Sequence, residues 1–358
     1  MKKDIYNDFK IFSFQNKIED IRRNIISSPV HVRLKPTNRC NHRCSYCCYR
    51  SKNLHMNQLF DEQSEIPWKS MKKIIKDLAL MGVKAVTFSG GGEPLLYPYF
   101  NDTVKRLCAG GIKIGLLTNG SLLNGESATL LSKYASWVRV SMDAAVPQTY
   151  IKTRGVERKE FEKVCNNIEK FSKNKTKGCQ LGVNYIVTKN NYKEVYSFLC
   201  LMQQKGVNHA KISEAVISTD NADNKNHYAR IIDCVNKQIA KATFGKRKVK
   251  FTVINKVDNF NFDSYKKEYK ICLFSQCLTV IGADMNIYIC QDKAYSKDGV
   301  ISSIKDGNFR EAWLSEKTSR KLLTFNPANN CVHHCTQHNK NIMLLEYLSI
   351  HKGGLEFV

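Results

Sequence analysis

Three cysteines close together in the sequence have the spacing of a metal-binding or cluster-binding loop. They are Cys40, Cys44 and Cys47, in the segment CNHRCSYC. Three thiolates in one loop can bind three irons of a cubane and leave the fourth iron without a protein ligand. Zinc is the alternative, but a structural zinc site needs four closely grouped ligands, and His42 is poorly placed as the fourth. The spacing therefore favours an iron–sulfur cluster with one open coordination position.

A second group of cysteines lies in the C-terminal part of the chain, at Cys272, Cys290, Cys331 and Cys335. Four thiolates are enough for one fully ligated [4Fe–4S] cluster, and a zinc ion bound by the same four is the alternative. Cys277 is an alternative ligand to Cys272. His333 and His334 lie between the last two cysteines, and we expect them to be exposed rather than to bind metal.

The other cysteines are expected to be buried, unreactive thiols. The chain has 14 cysteines, and disulfides are rare in a reducing compartment, so cluster binding explains the clustered ones better. The N-terminus has a basic start but no apolar region or cleavage site of a signal peptide, and no apolar run approaches about 20 residues. We therefore expect a cytoplasmic protein without a membrane segment. The seven dispersed cysteines are Cys48, Cys108, Cys165, Cys179, Cys200, Cys234 and Cys277.

Helices and strands must position these residues, and hydrophobic periodicity predicts that the two alternate from residue 31 onward. Residues 1–30 are predicted to form a helical lead-in. Six strands alternating with helices indicate successive right-handed βαβ units and a parallel sheet. The predicted strands are 32–34, 85–88, 112–117, 137–141, 180–187 and 209–212, and the predicted helices are 68–80, 100–109, 127–134, 161–172 and 192–205.

A polar segment over residues 216–226 predicts a boundary after these units, followed by a helix over 227–242 and a strand over 248–253. Functional side chains of βα folds lie in the loops at the carboxyl ends of the strands. We therefore look for the site there. The predicted divisions are a lead-in (1–30), an α/β core (31–215), a connecting segment (216–254) and a cysteine-bearing domain (255–358).

The first cysteine motif and the loops after the next strands together resemble the radical S-adenosylmethionine (SAM) superfamily. The run GGGEP at 90–94 is similar to the family's GGE motif, and the segments TNG at 118–120 and SMD at 141–143 follow the third and fourth strands. The last two segments would serve equally well as turns or helix caps. The resemblance covers about residues 31–215 and implies a partial (β/α)6 barrel. It implies that SAM lies against Tyr46, Gly91, Gly92, Glu93, Asn119, Ser141, Asp143, Arg154 and Asn184.

The resemblance also implies a reaction. In that family the open iron chelates the amino and carboxylate groups of SAM, and an electron from the cluster cleaves SAM to give a 5′-deoxyadenosyl radical that abstracts a substrate hydrogen. Glu93 is then expected to hold the SAM ammonium group. Arg154 is the one catalytic candidate that the resemblance offers, and no general base can be named. An external one-electron donor such as flavodoxin or ferredoxin is implied.

The second cysteine group resembles the auxiliary-cluster modules of the same superfamily, called SPASM or, in the shorter form, twitch. Residues 278–290 are predicted to form a hairpin that ends at Cys290. Met285 stands where those modules have a glycine, and the final pair is C-x3-C rather than C-x2-C. A two-cluster domain needs further cysteines after Cys335, so the resemblance implies the small α+β twitch form with one additional [4Fe–4S] cluster.

A fully ligated cluster cannot bind substrate through iron, so its expected role is electron transfer. The cysteine spacings look closest to a twitch-type dehydrogenase that oxidises an aminocyclitol, which implies oxidation of a small polar substrate such as a sugar or cyclitol. A peptide-modifying maturase is the alternative, although few residues precede the first strand where many such enzymes carry a leader-binding domain. A cluster-bearing scaffold without activity would leave the SAM motifs unexplained.

The chain is strongly basic, with 56 Lys and Arg against 32 Asp and Glu and a formal net charge of +24. Such a charge attracts anions, including phosphorylated or nucleotide-linked substrates and RNA. The lysines are spread along the chain rather than gathered in one run. We therefore expect a small-molecule substrate and a solvated basic surface, with RNA modification as a less favoured alternative.

Overall fold

The computed structural model describes residues 7–244, 251–257 and 266–350. Within them, ten strands form a single mixed sheet. The strands are β1 His31–Leu34, β2 Ala85–Phe88, β3 Lys113–Thr118, β4 Ala135–Ser141, β5 Gln180–Val187, β6 His209–Glu214, β7 Thr252–Asn255, β8 Leu278–Ile281, β9 Asn286–Tyr288 and β10 Val300–Ser303.

Helices follow most of the strands and cover the outside of the sheet. The α-helices are α1 Gln15–Arg22, α2 Trp68–Leu80, α3 Phe100–Ala109, α4 Gly125–Tyr134, α5 Pro147–Arg154, α6 Arg158–Asn174, α7 Val195–Gln204, α8 Asn221–Tyr228, α9 Ile232–Thr243, α10 Phe309–Leu314, α11 Glu316–Thr324, α12 Pro327–Asn330 and α13 His338–Ser349. Short 3-10 helices are Asp8–Ser13, His55–Asn57, Pro94–Leu96, Tyr192–Glu194, Leu273–Gln276, Gln291–Lys293 and Lys297–Gly299. None of the helices described is both long and apolar enough to cross a membrane.

Strands β1 to β7 are parallel neighbours in chain order and make up the expected partial barrel. The main hydrophobic core lies between the outer face of these strands and the helices. On β1, for example, Val32 and Leu34 are fully buried in that core, and α2 covers them with Met71 and Leu78. Arg33 lies between them and faces the barrel interior, because successive side chains of a strand point to opposite faces.

Two aromatic rings fill part of the barrel interior, and each lies over a glycine on the neighbouring strand. A Cβ added to Gly115 would lie 2.3 Å from the Trp137 ring, and one added to Gly182 would lie 2.2 Å from Nε2 of His209. Both glycines pair directly with the ring-bearing residue across the sheet. The absence of a side chain at these two positions therefore makes room for the rings.

The C-terminal hairpin belongs to the same sheet as the barrel. Strand β8 pairs in parallel with β1, with Leu278 opposite His31, and β9 and β10 continue antiparallel from it. The turn between β8 and β9 places Met285 at φ 63°, a left-handed conformation that favours glycine, which the twitch pattern has at this position. The sheet is thus continuous across the domain boundaries expected from the sequence.

The structure corrects several of the predicted elements. The N-terminal lead-in is divided into a 3-10 helix and α1, which ends at Arg22. The predicted helix over 227–242 is two helices, α8 and α9, and α8 begins inside the segment expected to be an irregular boundary. Helix α5 was not predicted, because its sequence has little apolar periodicity. The seventh strand begins at Thr252, and residues 248–250 of its prediction lie outside the described residues.

We expect Gly182→Ala to lower the free energy of unfolding in urea by about 1–3 kcal/mol, because the new methyl group would overlap the buried His209 ring. Gly178→Ala is the matched control. A Cβ there would have Thr176 Oγ1 at 3.9 Å as its nearest neighbour, and the expected change is within about 0.5 kcal/mol. In a His209→Ala background the Gly182 substitution should cost little, and an undiminished loss there would contradict the packing explanation.

Candidate functional site

The loop that carries the first three cysteines lies after β1 and is held in place by the end of α5. The backbone N–H of Arg43 donates to the carbonyl of Arg154 at 2.9 Å, and that of Ser45 donates to the carbonyl of Thr153 at 3.0 Å. Gly155 ends the helix at φ 61°, and a Cβ on it would lie 2.5 Å from the carbonyl oxygen of Arg43. The helix end and the cysteine loop therefore fit together only with a glycine at this position.

His42 is turned away from the cysteines and is fully buried. Its Nδ1 accepts a hydrogen bond from Nε of Arg154 at 3.3 Å, and its Nε2 lies 3.2 Å from Oγ of Ser121. Burial, reinforced by the charge of Arg154, lowers the pKa of His42 to about 3, so the ring stays neutral. Both ring nitrogens are already bonded within the protein, which agrees with the expectation that His42 is not a fourth metal ligand.

Cys40, Cys44 and Cys47 line one wall of a cavity of about 410 Å³ at the carboxyl ends of the strands. A volume of this size is typical of sites for small molecules and cofactors. The structure brings most of the sequence-predicted SAM contacts to the same cavity. These are Tyr46, Gly91, Gly92, Glu93, Asn119, Ser141 and Arg154.

The glycine run after β2 packs directly against the residues that precede Cys40. A Cβ on Gly91 would lie 1.8 Å from Oδ1 of Asn38, and one on Gly92 would lie 2.0 Å from the carbonyl oxygen of Arg39. The backbone N–H of Glu93 donates to that same carbonyl at 2.8 Å. The run is therefore needed for two loops to touch through their backbones.

Glu93 is buried at the cavity wall, and its carboxylate is held by three protein donors. Its Oε1 accepts from Thr118 Oγ1 at 2.7 Å and from the backbone of Leu95 at 3.1 Å, and its Oε2 accepts from the backbone of Asn119 at 2.7 Å. Burial raises the pKa of the Glu93 carboxyl, and these hydrogen bonds oppose that rise. Glu93 thus ties the loop after β3 to the glycine loop, in addition to any contact with a ligand.

Asp143 lies behind the cavity wall, where it holds Arg154 and Tyr46. The carboxylate is fully buried, and its Oδ2 accepts from Arg154 at 2.7 Å and from the hydroxyl of Tyr46. Its Oδ1 accepts from the backbone of Ile186 at 2.6 Å. The predicted SAM contact Asp143 is therefore not part of the cavity lining, and Asn184 lines a neighbouring cavity instead.

Arg154 presents a fixed positive charge to the cavity. Burial alone would lower its pKa, but Tyr46, Cys44 and Asp143 around it raise the pKa well above its ordinary value. A guanidinium held in this state cannot accept a proton. The sequence-based candidate for a catalytic residue is therefore placed to position groups rather than to act as a base.

Sequence reasoning missed Lys35, which is fully buried at the end of β1. Its Nζ donates to the carbonyl of Gly90 at 2.6 Å and to the hydroxyl of Tyr49 at 2.7 Å. Burial lowers its pKa to about 7. The signal for Lys35 in the sequence was its place directly after a buried strand and before the cysteine loop. Gln291, from the C-terminal part, donates to the same tyrosine at 2.6 Å.

The second cysteine group also converges on one site. Cys272, Cys290, Cys331 and Cys335 all line a single small cavity, with His333 and Lys267 beside them. Burial raises the pKa of each of the four thiols, and their neighbouring thiol groups raise the pKa of Cys290 further. Four thiolates in this place would need bound metal to stabilise their charge, because a coordinated thiol is deprotonated outright.

The structure bears on two questions that the sequence left open at the second site. They are whether Cys277 replaces Cys272 and whether His333 is exposed. Cys277 lies outside the cavity, in an apolar cluster with Ile18 and Leu344, whereas Cys272 lines the cavity. The expectation that His333 is exposed is wrong. It is buried, with 5% of its surface exposed, and its Nδ1 lies 2.7 Å from the carbonyl of His334.

A cluster and a single metal ion need different spacing of their donors. Among the described residues, no three His, Cys, Asp or Glu side chains form a group that could hold one metal ion. A zinc site would need four ligands about 2 Å from one centre. A cubane accommodates thiolates that are farther apart, since each binds a different iron.

Comparisons with known proteins agree with this site. The family model of the radical SAM superfamily matches residues 34–199. This range includes the three cysteines, the glycine loop and Arg154. The chain carries a radical SAM domain. Enzymes of this superfamily use a [4Fe–4S] cluster and SAM.

Curated relatives of the radical SAM domain are named for different functions. The tungsten-containing aldehyde ferredoxin oxidoreductase cofactor-modifying protein of Pyrococcus furiosus is 28% identical over 210 residues, covering 57% of this chain and 56% of the relative. A probable GTP 3′,8-cyclase of Methanothermobacter thermautotrophicus is 29% identical over 182 residues, covering 49% and 54%. The chain thus spans about half the length of these relatives.

The fold beyond the radical SAM domain also has a solved counterpart. Streptococcus suis SuiB, in its complex with the precursor peptide SuiA, superposes with a TM-score of 0.60 over 89% of this chain and 73% of SuiB. The two sequences are 14% identical, so the likeness concerns the fold alone. At this coverage it extends past residue 199, beyond the part of the chain that the radical SAM profile matches.

The second cysteine cavity adjoins the cavity of the radical SAM domain. His333 lines both cavities, and Asp292, two residues after Cys290, lines the first one. Oδ2 of Asp292 accepts from both the backbone and the hydroxyl of Thr336, each at 2.9 Å. The loop after Cys335 is thereby joined to the loop after Cys290 at the edge of the first cavity.

Asp143→Asn is expected to lower the free energy of unfolding in urea by about 3–5 kcal/mol, because Arg154 would keep a buried charge without its counterion. Glu157→Gln is the control, since it removes an exposed ion pair with Lys159, and it should cost less than about 1 kcal/mol. Equal losses in the two variants would show that the buried pair does not stabilise the site.

Proposed function

We propose that the chain is a radical SAM enzyme whose cluster is held by Cys40, Cys44 and Cys47 and whose SAM lies in the adjoining cavity. The observation that carries this proposal is that the three cysteines and the loop Gly90–Glu93 line the same 410 Å³ cavity. When both are bound, cluster and SAM supply a 5′-deoxyadenosyl radical that abstracts a hydrogen atom from the substrate.

The chain's own residues have defined parts in this proposal. Arg154 supplies a fixed positive charge at the wall, suited to the carboxylate of SAM. Tyr46, bonded to both Arg154 and Asp143, is held in one orientation between two cysteines. The glycine loop brings backbone groups to the ligand, and Lys35 fixes the carbonyl of Gly90.

We further propose that Cys272, Cys290, Cys331 and Cys335 hold a second [4Fe–4S] cluster, which accepts one electron in a substrate oxidation. Two features support this: the four thiols share one cavity, and His333 lies between that cavity and the first. An alcohol carbon would lose a hydrogen atom to the radical, one electron to this cluster and its hydroxyl proton to solvent. A sugar or cyclitol alcohol fits this balance.

The comparisons suggest two other substrate classes. One relative is named as a probable GTP 3′,8-cyclase, and the structure of SuiB contains the precursor peptide SuiA. Neither is better supported for this chain, because the first covers about half of each sequence and the second is a likeness of fold. An external one-electron donor such as flavodoxin or ferredoxin completes the proposal in each case.

We expect anaerobically reconstituted protein to contain about eight irons and eight sulfides, and Cys40/Cys44/Cys47→Ala to retain about four of each. Cys272/Cys290/Cys331/Cys335→Ala should likewise retain about four, with the other cluster lost. Cys48→Ala and Cys277→Ala are matched controls that should keep the wild-type count. About four irons in the wild type, falling to none in the first variant, would refute the second cluster.

A turnover assay separates the two roles. With dithionite as reductant, the variant lacking the four late cysteines is expected to retain cleavage of SAM to 5′-deoxyadenosine but to lose ketone formation from a sugar or cyclitol panel. Mass spectrometry of both products is the measurement. Substrate oxidation that persists in this variant would remove the case for an internal electron acceptor.

A further inference from the structure

A second large cavity adjoins the proposed SAM site inside the barrel. We call it the basic chamber, with a volume of about 470 Å³ and cationic walls formed by Arg33, Arg139, Lys211 and Lys256. Its wall is partly shared with the first cavity, so the two cavities are direct neighbours. The shared lining residues are Ile186, Glu214, Val216, Gln291, His334 and Thr336.

The barrel strands dictate where these cations point. Arg33 lies on β1, Arg139 on β4 and Lys211 on β6, and each alternates with residues buried in the outer hydrophobic core. Lys256 follows the end of β7. Because alternate residues of a strand face opposite sides, the positions that do not face the helices face the interior. Three positive charges are thereby collected inside the barrel from three strands, and Lys256 adds a fourth from the segment after β7.

The acidic residues of the chamber do not balance these charges. Counting Lys340, its lining has five cationic side chains against the two carboxylates of Asp8 and Glu214. Asp8 is itself paired with Lys340 at 3.6 Å. Burial, together with the charges of Arg139, Lys256 and Arg33, lowers the pKa of Lys211 to about 7, and Glu214 opposes that fall.

At least three polar atoms of the chamber lining are buried and lack a hydrogen-bond partner within the described structure. They are Nε of Arg33, a donor, and two acceptors, Oδ1 of Asn184 and Oε1 of Gln291. Buried polar atoms of this kind are rare in folded proteins, and each calls for a partner supplied by a ligand, an ion or water. An anion beside Arg33 and hydroxyl groups beside Asn184 and Gln291 would satisfy these atoms.

We propose that the basic chamber binds a phosphate or diphosphate group of the substrate, so that the substrate of this enzyme is a phosphorylated or nucleotide-linked polyol. This inference rests on the proposed function and specifies its substrate class. A phosphate group has close to two negative charges and several acceptor oxygens, whereas a peptide carboxylate has one charge. With three more cationic side chains than carboxylates, the lining suits a phosphate or diphosphate better than a single carboxylate.

The position of the basic chamber would let a bound anion orient the rest of the substrate. An anion held by Arg33, Arg139 and Lys211 would fix one end of the substrate in the interior of the barrel. The uncharged part would then extend past Ile186 and Glu214 toward the cavity wall that holds the three cysteines. The anionic group would select the substrate and orient the carbon that reacts.

The test is binding of inorganic pyrophosphate to the full-length, anaerobically reconstituted protein, measured by isothermal titration calorimetry at low salt. We expect saturable binding to the wild type, weakened about tenfold or more in Lys211→Gln and in Arg139→Gln, as befits loss of one charge-assisted hydrogen bond. Lys76→Gln, an exposed lysine on α2, is the matched control and should bind as the wild type does.

A thermal measurement guards against a variant that fails to fold. Because the chamber cations repel one another, Lys211→Gln without pyrophosphate should unfold at the wild-type temperature or above it, while pyrophosphate should raise the midpoint of the wild type more than that of the variant. Absence of pyrophosphate binding, or equal binding by wild type and both chamber variants, would overturn the inference.

The pyrophosphate test and the tests of the proposed function can fail separately. Iron content and cleavage of SAM test the clusters, and pyrophosphate binding tests the chamber. Normal iron content and SAM cleavage without chamber-dependent pyrophosphate binding would refute only the substrate class. Chamber-dependent binding in a protein that holds no cluster would refute only the radical chemistry.

Discussion

The site depends first on a loop that has no regular secondary structure and yet must keep three cysteines in place. The polar backbone groups of such a loop need partners from outside it. Helix α5 supplies them through the carbonyls of Thr153 and Arg154, and the glycine loop supplies further backbone contacts on the other side. The Arg154 side chain, held by Asp143, links the helix end to the cavity wall. The cysteine loop therefore takes its shape from its neighbours.

The two faces of the barrel strands differ in role: the outer face forms the hydrophobic core and the inner face carries the polar residues. Apolar residues such as Val32 and Val138 face outward and pack under the helices, which provides the hydrophobic stabilisation. Polar residues such as Arg33 and Arg139 alternate with them and face inward, where their burial costs stability and where the proposed anion would bind. A shift of one residue in strand register would exchange the two sets. The apolar outer face therefore also fixes the direction of the chemical groups inside.

Much of this was predictable from the sequence. The hydrophobic periodicity predicted both the first and the last residue of α2, α3 and β5, because each has a regular apolar pattern and a clear end. The radical SAM motifs follow the strand order, and the resemblance to that family indicated most of the residues that line the cavity. Helix α5 was missed, since its apolar residues do not repeat at helical spacing, and the division between α8 and α9 was missed as well. The pairing of β8 with β1 joins residues more than two hundred positions apart, and periodicity contains no information on such contacts.

Side-chain direction was the other limit. Asp143 was expected to line the SAM site, and the segment does lie there, but its left-handed backbone at φ 56° turns the carboxylate toward Arg154 and Ile186. His333 was expected to be exposed because it lies in a loop between ligands. The same loop is folded back between two cavities, which buries the ring. Spacing indicates which residues are near a site, whereas the local backbone decides which way they point.

The shared strand β1 has one more consequence. The first cysteine loop leaves its carboxyl end, and β8, which begins the hairpin to Cys290, is hydrogen-bonded along its side. The two cysteine groups are therefore connected by a sheet rather than across a hinge. An electron passing between groups held at these two places would tunnel through a gap of constant width. Its rate would then be governed by the difference in redox potential, and no domain movement would be needed to open or close the path.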